Sequence, residues 1–199
     1  MAETKSRPAY NLKGRLKEVV SESIRVKQAT LTTQSGQIAQ IAELAIQSLR
    51  KGGKILICGN GGSASQAQHL AAEIICRYKK NRKSLPALAL NTDTAVMTAV
   101  ANDFSYEDVF AKQIEGLAAP DDLVWVLSTS GNSPNVVRAV QAARKVGCQI
   151  VGFTGESGGR LKDLVEYLVR VPSRETDRIQ ETHITIGHAV CEAIEETLG

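Results

Sequence analysis

Apolar residues recur along this chain at two different intervals, and the switches between them divide it into alternating elements. From about Leu12 to Leu49 they return at threes and fours, as Leu12, Leu16, Val19, Val20, Ile24 and Val26, then Ile38, Ile41, Leu44, Ala45 and Leu49. That is the spacing of a buried helical stripe, and it predicts two N-terminal helices. Five short apolar runs then follow, Lys54–Gly59, Pro86–Leu90, Leu123–Ser128, Ile150–Thr154 and Tyr167–Val171. Each has strand length. Helical patterns separate most of them: Ser63 to Tyr78, one or two short helices between Asp93 and Leu117, Ser133 to Val146, and about Thr176 to Leu198. This alternation predicts an α/β fold, a three-layer sandwich around a five-stranded, mostly parallel sheet with extra N-terminal helices. No repeat, low-complexity tract or linker divides it, so residues 1–199 are expected to form a single domain, with the helical segment of about 10–50 included.

Composition narrows the function classes. A chain of 199 residues with 43% hydrophobic residues can bury one substantial core. The net charge of +3, from 24 Lys plus Arg against 21 Asp plus Glu, gives no broad field for nucleic acid. Attraction for anions must therefore be local. Cys58, Cys76, Cys148 and Cys191 lack CxxC or zinc-finger spacing, which fits free thiols in a reducing compartment. Met1 to Gln28 has no apolar core like that of a secretory signal, and no run reaches membrane-spanning length. The expectation is a cytoplasmic protein without membrane or nucleic-acid partners.

In an open parallel sheet, ligands bind beyond the carboxyl ends of the strands. Two loops there stand out. Gly59-Asn60-Gly61-Gly62-Ser63 follows the first strand, and its glycines let backbone N–H groups turn toward a ligand at a helix start. Ser128-Thr129-Ser130-Gly131-Asn132-Ser133-Pro134 follows the third, with hydroxyls and a helix start together suited to a phosphate dianion. Neither is a Walker A or GxGxxG loop. The plainer alternative makes both ordinary turns with Ser63 and Ser133 as N-caps. Six consecutive small polar residues exceed what one cap needs.

Two further pairs have the spacing of metal ligands. His69 and Glu73 lie four apart, about 40° from each other on one helical face, and Gln180 and His188 lie eight apart, about two turns. Such N and O donors suit zinc. On pattern alone a solvated His–Glu pair and a core histidine at His188 remain open, and His183 is expected at the surface.

The strings Cys58-Gly-Asn-Gly-Gly-Ser-Ala, Gln68-His-Leu-Ala-Ala-Glu73, Ala101-Asn-Asp-Phe104, Ser128-Thr-Ser-Gly-Asn-Ser133 and Arg178-Ile-Gln-Glu-Thr-His-Ile-Thr-Ile-Gly-His188 resemble the sedoheptulose 7-phosphate isomerases, the phosphoheptose isomerases of the SIS (sugar isomerase) superfamily. The resemblance spans nearly the whole chain. It implies a flavodoxin-like SIS fold, a homotetramer with sites at subunit interfaces, and conversion of sedoheptulose 7-phosphate into D-glycero-D-manno-heptose 7-phosphate for lipopolysaccharide core. It puts zinc at His69, Glu73, Gln180 and His188, and phosphosugar contacts at Asn60, Gly61, Gly62, Glu73, Asn102, Asp103, Ser128, Thr129, Ser130, Ser133 and Gln180. Glu73 as base and His188 as proton shuttle suit an isomerisation through an enediol. Asp103 or Asp177 is a second carboxylate for ring opening, and Arg77 can reach a phosphosugar, including one in a neighbouring subunit.

Two alternatives stay open. Ser84-Leu-Pro-Ala-Leu-Ala-Leu-Asn-Thr-Asp93 and Ala111-Lys-Gln113 resemble SIS proteins that bind a bacterial replication initiator, a subgroup that lacks equivalents of Glu73 and the second histidine. A sugar-phosphate sensor without turnover is the other.

Overall fold

The computed structural model describes residues 11–199; the parts of the single-domain and leader readings that concern residues 1–10 lie outside the described residues. The elements run α1 (Leu12–Arg50), β1 (Ile55–Gly59), α2 (Gly62–Ile75), β2 (Ala87–Ala89), α3 (Thr94–Asp103), α4 (Ala111–Leu117), β3 (Leu123–Leu127), α5 (Pro134–Val146), β4 (Gln149–Gly155), β5 (Tyr167–Val171) and α6 (Thr176–Leu198), with 3-10 turns at Tyr106–Asp108 and Gly159–Asp163. All four strand pairings are parallel, in the order β2-β1-β3-β4-β5. The sheet is thus wholly rather than mostly parallel.

Strand residues alternate between two cores, as a period of two requires. Ile55, Ile57, Leu123, Trp125, Leu127, Val151 and Phe153 face α1, α2 and α6. Leu56, Cys58, Val124, Val126 and Ile150 face α4 and α5. Both faces are covered, which is why the runs read as continuous apolar stretches instead of alternating ones.

The two expected N-terminal helices are one helix of 39 residues, about 58 Å at 1.5 Å per residue. Polar residues bridge the two apolar sets because they have partners of their own. The hydroxyls of Thr30, Thr32 and Thr33 donate to carbonyls four residues back. Gln34 exchanges hydrogen bonds with the backbone of Arg170 on β5, donating to its carbonyl and accepting from its N–H at 2.8 Å. Gln37, with its amide turned to suit, faces the N–H and C=O of Leu168 in the same way. The helix continues without a core contact here because it is closing the free edge of the sheet.

Candidate functional site

The strand order reverses between β1 and β3, and both unusual loops leave the sheet at that point, where a doubly wound fold opens its ligand crevice. Gly59 ends β1 in register with Leu127, which ends β3. Gly61 has φ +55 and caps α2, a backbone state that favours glycine, with open space where a Cβ would stand. Ser63 is buried and is not the cap, contrary to its plain reading. The Asn60 and Asn135 side chains exchange amide hydrogen bonds, both 2.9 Å, and the Tyr106 hydroxyl donates to Asn60 Oδ1 at 3.3 Å. Asn91 Nδ2 donates to the Gly59 carbonyl at 2.6 Å. Sequence reasoning missed Tyr106, Asn91 and Asn135, since no local pattern reports a partner on another element. The buried acceptors Asn91 Oδ1 and Gln66 Oε1 have no protein partner.

In the serine loop, Ser128 and Ser133 bring their Oγ atoms within 3.1 Å of each other. Ser133 stands at the N-cap of α5 with Pro134 next, yet its hydroxyl caps no N–H. Ser130 Oγ accepts from the Asn132 N–H at 3.1 Å and the side chain is exposed. Thr129 and Ser130 border a cavity of about 270 Å³ closed by Glu156, Ser157, Ser173 and Arg174. A larger cleft, about 550 Å³, lies between the start of α1 and the start of α6, but its walls are charges already paired with one another, such as Arg25 with Glu22 and Arg178 with Asp177. The smaller cavity also has a paired Glu156 and Arg174 in its wall, and what distinguishes it is that the serine loop borders it. Asp177 is held below the usual carboxylate range chiefly by its hydrogen bond to the Arg178 guanidinium, which makes it a poor acid for ring opening. Asn102 and Asp103 are exposed at the end of α3, with Asn102 Nδ2 donating to Asp103 Oδ1 at 2.8 Å.

The metal-spaced residues form a separate cluster on the seam of α2 and α6. His69 Nε2 lies 2.8 Å from His188 Nε2 and 3.4 Å from Glu73 Oε1. One ligand atom from each of the three falls within 4.8 Å of the other two. At most one proton can sit between two imidazole nitrogens so close, and among the described residues the one ion pair of Glu73 is with His69. Two imidazoles and a carboxylate thus converge with no Lys or Arg among them, a set that, with both rings neutral, fits a divalent ion. The His188 pKa is lowered, first by burial and then by His69, with Glu73 pulling the other way. That favours the neutral imidazole that a ligand must be. Gln180 places its carboxamide at the start of α2, where a Cβ on Gly62 would stand 2.6 Å from its Oε1. His183 is fully buried, not at the surface: its Nε2 pairs with the Thr154 carbonyl at 3.1 Å, and burial pushes its pKa down to about 4. It lies in the apolar stripe of Ile179, Ile186 and Val190, the i, i+4, i+7, i+11 face of α6. His188 stands outside that stripe, half-buried beside His69.

Within one chain, then, the structure joins His69, Glu73 and His188, and it joins the glycine and serine loops, but it keeps the two groups apart. His69 is seven residues beyond Gly62, about 10 Å along α2.

A doubly wound parallel sheet with a hydroxyl-rich loop at its switch point defines an SIS-type fold, and residues 20–155 match the SIS domain family. The chain is 52% identical over 179 residues to the phosphoheptose isomerase of Roseiflexus sp. (strain RS-1), covering 90% of this chain and 91% of the relative. The solved phosphoheptose isomerase of Neisseria gonorrhoeae superposes with a TM-score of 0.89 at 41% identity, over 94% of this chain and 100% of that one. That of Francisella tularensis gives 0.90 at 35% identity, with the same coverage. The chain belongs to the phosphoheptose isomerases of the SIS domain family.

Proposed function

We propose that the chain converts sedoheptulose 7-phosphate into D-glycero-D-manno-heptose 7-phosphate, for lipopolysaccharide core, with one zinc ion held by His69, Glu73 and His188; Gln180, the fourth ligand that the resemblance implies, has its carboxamide against Gly62 at the start of α2 and would have to turn toward the cluster to join them. The observation that carries this reading is the convergence of those three donors, at 2.8 and 3.4 Å, in a chain half identical to a phosphoheptose isomerase. Moving the carbonyl from C2 to C1 takes a proton from C1 and returns one to C2 through an enediol. Glu73, through the carboxylate oxygen that would not face the metal, takes the C1 proton and delivers one to C2, and His188, through the ring nitrogen that would not face the metal, moves a proton between the O1 and O2 oxygens. A zinc ion held there would supply polarisation of the carbonyl and stabilisation of negative charge on oxygen. Ser128, Thr129, Ser130 and Ser133 hold the phosphate with the Asn135 N–H at the α5 start, Asn60, Gly61 and Gly62 hold the sugar hydroxyls, and Asn102 and Asp103 close the crevice. Phosphate binding far from the reacting carbons fixes C1 and C2 in register.

The separation of loops and cluster along α2 supports a homotetramer, in which a second copy brings its serine loop or its Arg77 to this cluster. The exposed apolar row Leu12, Leu16, Val20 and Ile24 on α1 is a surface such an assembly would cover. Of the residues shared with initiator-binding proteins, Gln113 has a packing role here: its side chain is buried and donates to the carbonyls of Leu90 and Val109, both at 2.8 Å. Among the described residues no helix is long and apolar enough to cross a membrane; the proposed cytoplasmic location is supported by the four free cysteines, which suit a reducing compartment. The deciding experiment incubates the protein with sedoheptulose 7-phosphate, with and without chelator, and follows both the aldose and deuterium uptake at C1. Zinc-loaded protein that does neither refutes the reading.

A further inference from the structure

Glu195 is a buried carboxylate, 2% exposed, that no part of the proposed chemistry uses. It accepts from three consecutive backbone N–H groups in the segment after α2, Tyr78 at 2.8 Å and Lys79 and Lys80 at 2.6 Å each, and from Arg82 Nε at 3.2 Å. Burial pushes its carboxyl up, but those N–H groups and Arg82 outweigh it and hold the pKa down at about 2. The Arg82 side chain is equally buried, and its second nitrogen donates 2.9 Å to the main-chain carbonyl of Glu73. One ion pair therefore grips the backbone of the residue that carries the reacting carboxylate.

The same pair sets the other wall of the cluster. Glu195 lies seven residues beyond His188 on α6, two turns on and within about 20° of the same face. By fixing the N–H of Tyr78, it sets the Tyr78 ring 5.7 Å from the His188 ring, tilted 37°. The α2 side and the α6 side of the cluster thus share one anchor, although its two members are 113 residues apart in sequence.

We propose that Glu195 and Arg82 are positioning residues for the His69–Glu73–His188 cluster. They hold α2 and α6 at the separation at which the three ligand atoms meet, with Tyr78 as the side wall. This inference rests on the metal-dependent isomerase reading. Metal ligands depend on such supports, whose loss typically weakens metal binding or activity by about 10–100-fold. Arginine is needed rather than lysine because its fork serves Glu195 and the Glu73 carbonyl at once.

The test titrates cobalt(II) into metal-stripped, full-length protein and records affinity and the visible absorption band, beside kcat and KM for sedoheptulose 7-phosphate and the melting temperature. Arg82→Met and Glu195→Gln should weaken cobalt binding by about 10-fold or more, alter the band, and lower kcat by about 10–100-fold with KM changed far less. Arg82→Lys should fall between them and wild type. Asp122→Asn removes the charge of another buried carboxylate, remote from the cluster, and controls for lost stability; it should leave cobalt binding and kcat unchanged. Folded Arg82→Met and Glu195→Gln that bind cobalt like wild type overturn the proposal, as does an equal loss in Asp122→Asn. Should Arg82→Met not fold, Arg82→Lys decides by the same cobalt criterion. Wild type that binds cobalt without isomerising the sugar defeats the isomerase reading alone, and the cobalt comparison still decides the positioning role. Wild type that binds no cobalt overturns both.

Discussion

Two polar clusters in this molecule are built from similar groups and come to opposite ends. Asp122, at the amino edge of the sheet, accepts from the Lys54 N–H at 2.9 Å, the Lys54 ammonium at 2.6 Å and the Ala119 N–H at 2.7 Å. Around it Ser48 Oγ donates to the Asp121 carbonyl, and a Cβ on Gly53 would stand 2.3 Å from that same oxygen, so the corner has no spare room and no spare acceptor. On the α2–α6 seam, Glu73, His69 and His188 bring a carboxylate and two imidazole nitrogens together with no Lys or Arg paired to them. A carboxylate given its full set of donors is a fastening. One beside two imidazole nitrogens offers lone pairs that suit a cation, and that difference supports the seam as the proposed chemical site.

If this contrast holds, changes on the seam alter turnover and changes at the corner alter stability. The largest effect is expected from Glu73→Gln, which keeps the shape but loses the basic carboxylate: kcat should fall by roughly 10²–10⁴-fold while the melting temperature moves little. A loss of zinc alongside kcat, read by elemental analysis, would assign the effect to the metal instead of the base. Asp122→Ala should behave in the reverse sense, costing about 3 kcal/mol in chemical denaturation because the Lys54 ammonium and two N–H groups lose their partner, with kcat retained below the transition. Loss of turnover there would break the comparison.

Smaller effects sharpen it. Ser128→Ala and Ser133→Ala each remove one hydroxyl of the facing pair, and affinity for the sugar phosphate should weaken by about 1.5–3 kcal/mol per charge-assisted bond, measured calorimetrically. Acid should act through His183. Its folded pKa of about 4 lies below the ordinary histidine value of 6.5, so the unfolded chain binds more protons between the two. Stability is full above about pH 6.5 and declines toward pH 4, and His183→Gln should flatten that part of the stability-versus-pH curve. The smallest effect is a gain. Gly36 lies inside α1 with nothing within 4 Å of an added Cβ, so Gly36→Ala should stabilise by about 0.5–1 kcal/mol, whereas a break between two helices there would make it neutral or harmful.

Much of the fold was legible because local pattern determines it. The runs at 123–127 and 167–171 are strands that meet apolar layers on both faces, so their composition alone marks them. α6 occupies the span from Thr176 to Leu198 that its periodicity marks. The break expected in α1 was wrong because Gln34 and Gln37 answer to β5, more than a hundred residues away, and periodicity registers only burial. The same limit explains His183, whose polar side chain sits at an apolar helical position because a strand carbonyl meets it. His69, Glu73 and His188 were legible from spacing and resemblance; Tyr106, Asn135 and the Arg82–Glu195 pair were not, since each is defined by an element distant in sequence.

The closed edge of β5 also bears on how the chain is made. α1 leaves the ribosome before any strand exists, yet its packing is mainly with α6 and β5, the last two elements in the chain. The Gln34–Arg170 contact spans 136 residues, so its closure comes late and at a high cost in chain entropy. Until then the nascent chain carries an apolar-faced helix and, once β5 has paired with β4, a bare strand edge, the two surfaces most inclined to find a stranger. Among the described elements, the one that precedes every strand in the chain is therefore among the last to be seated.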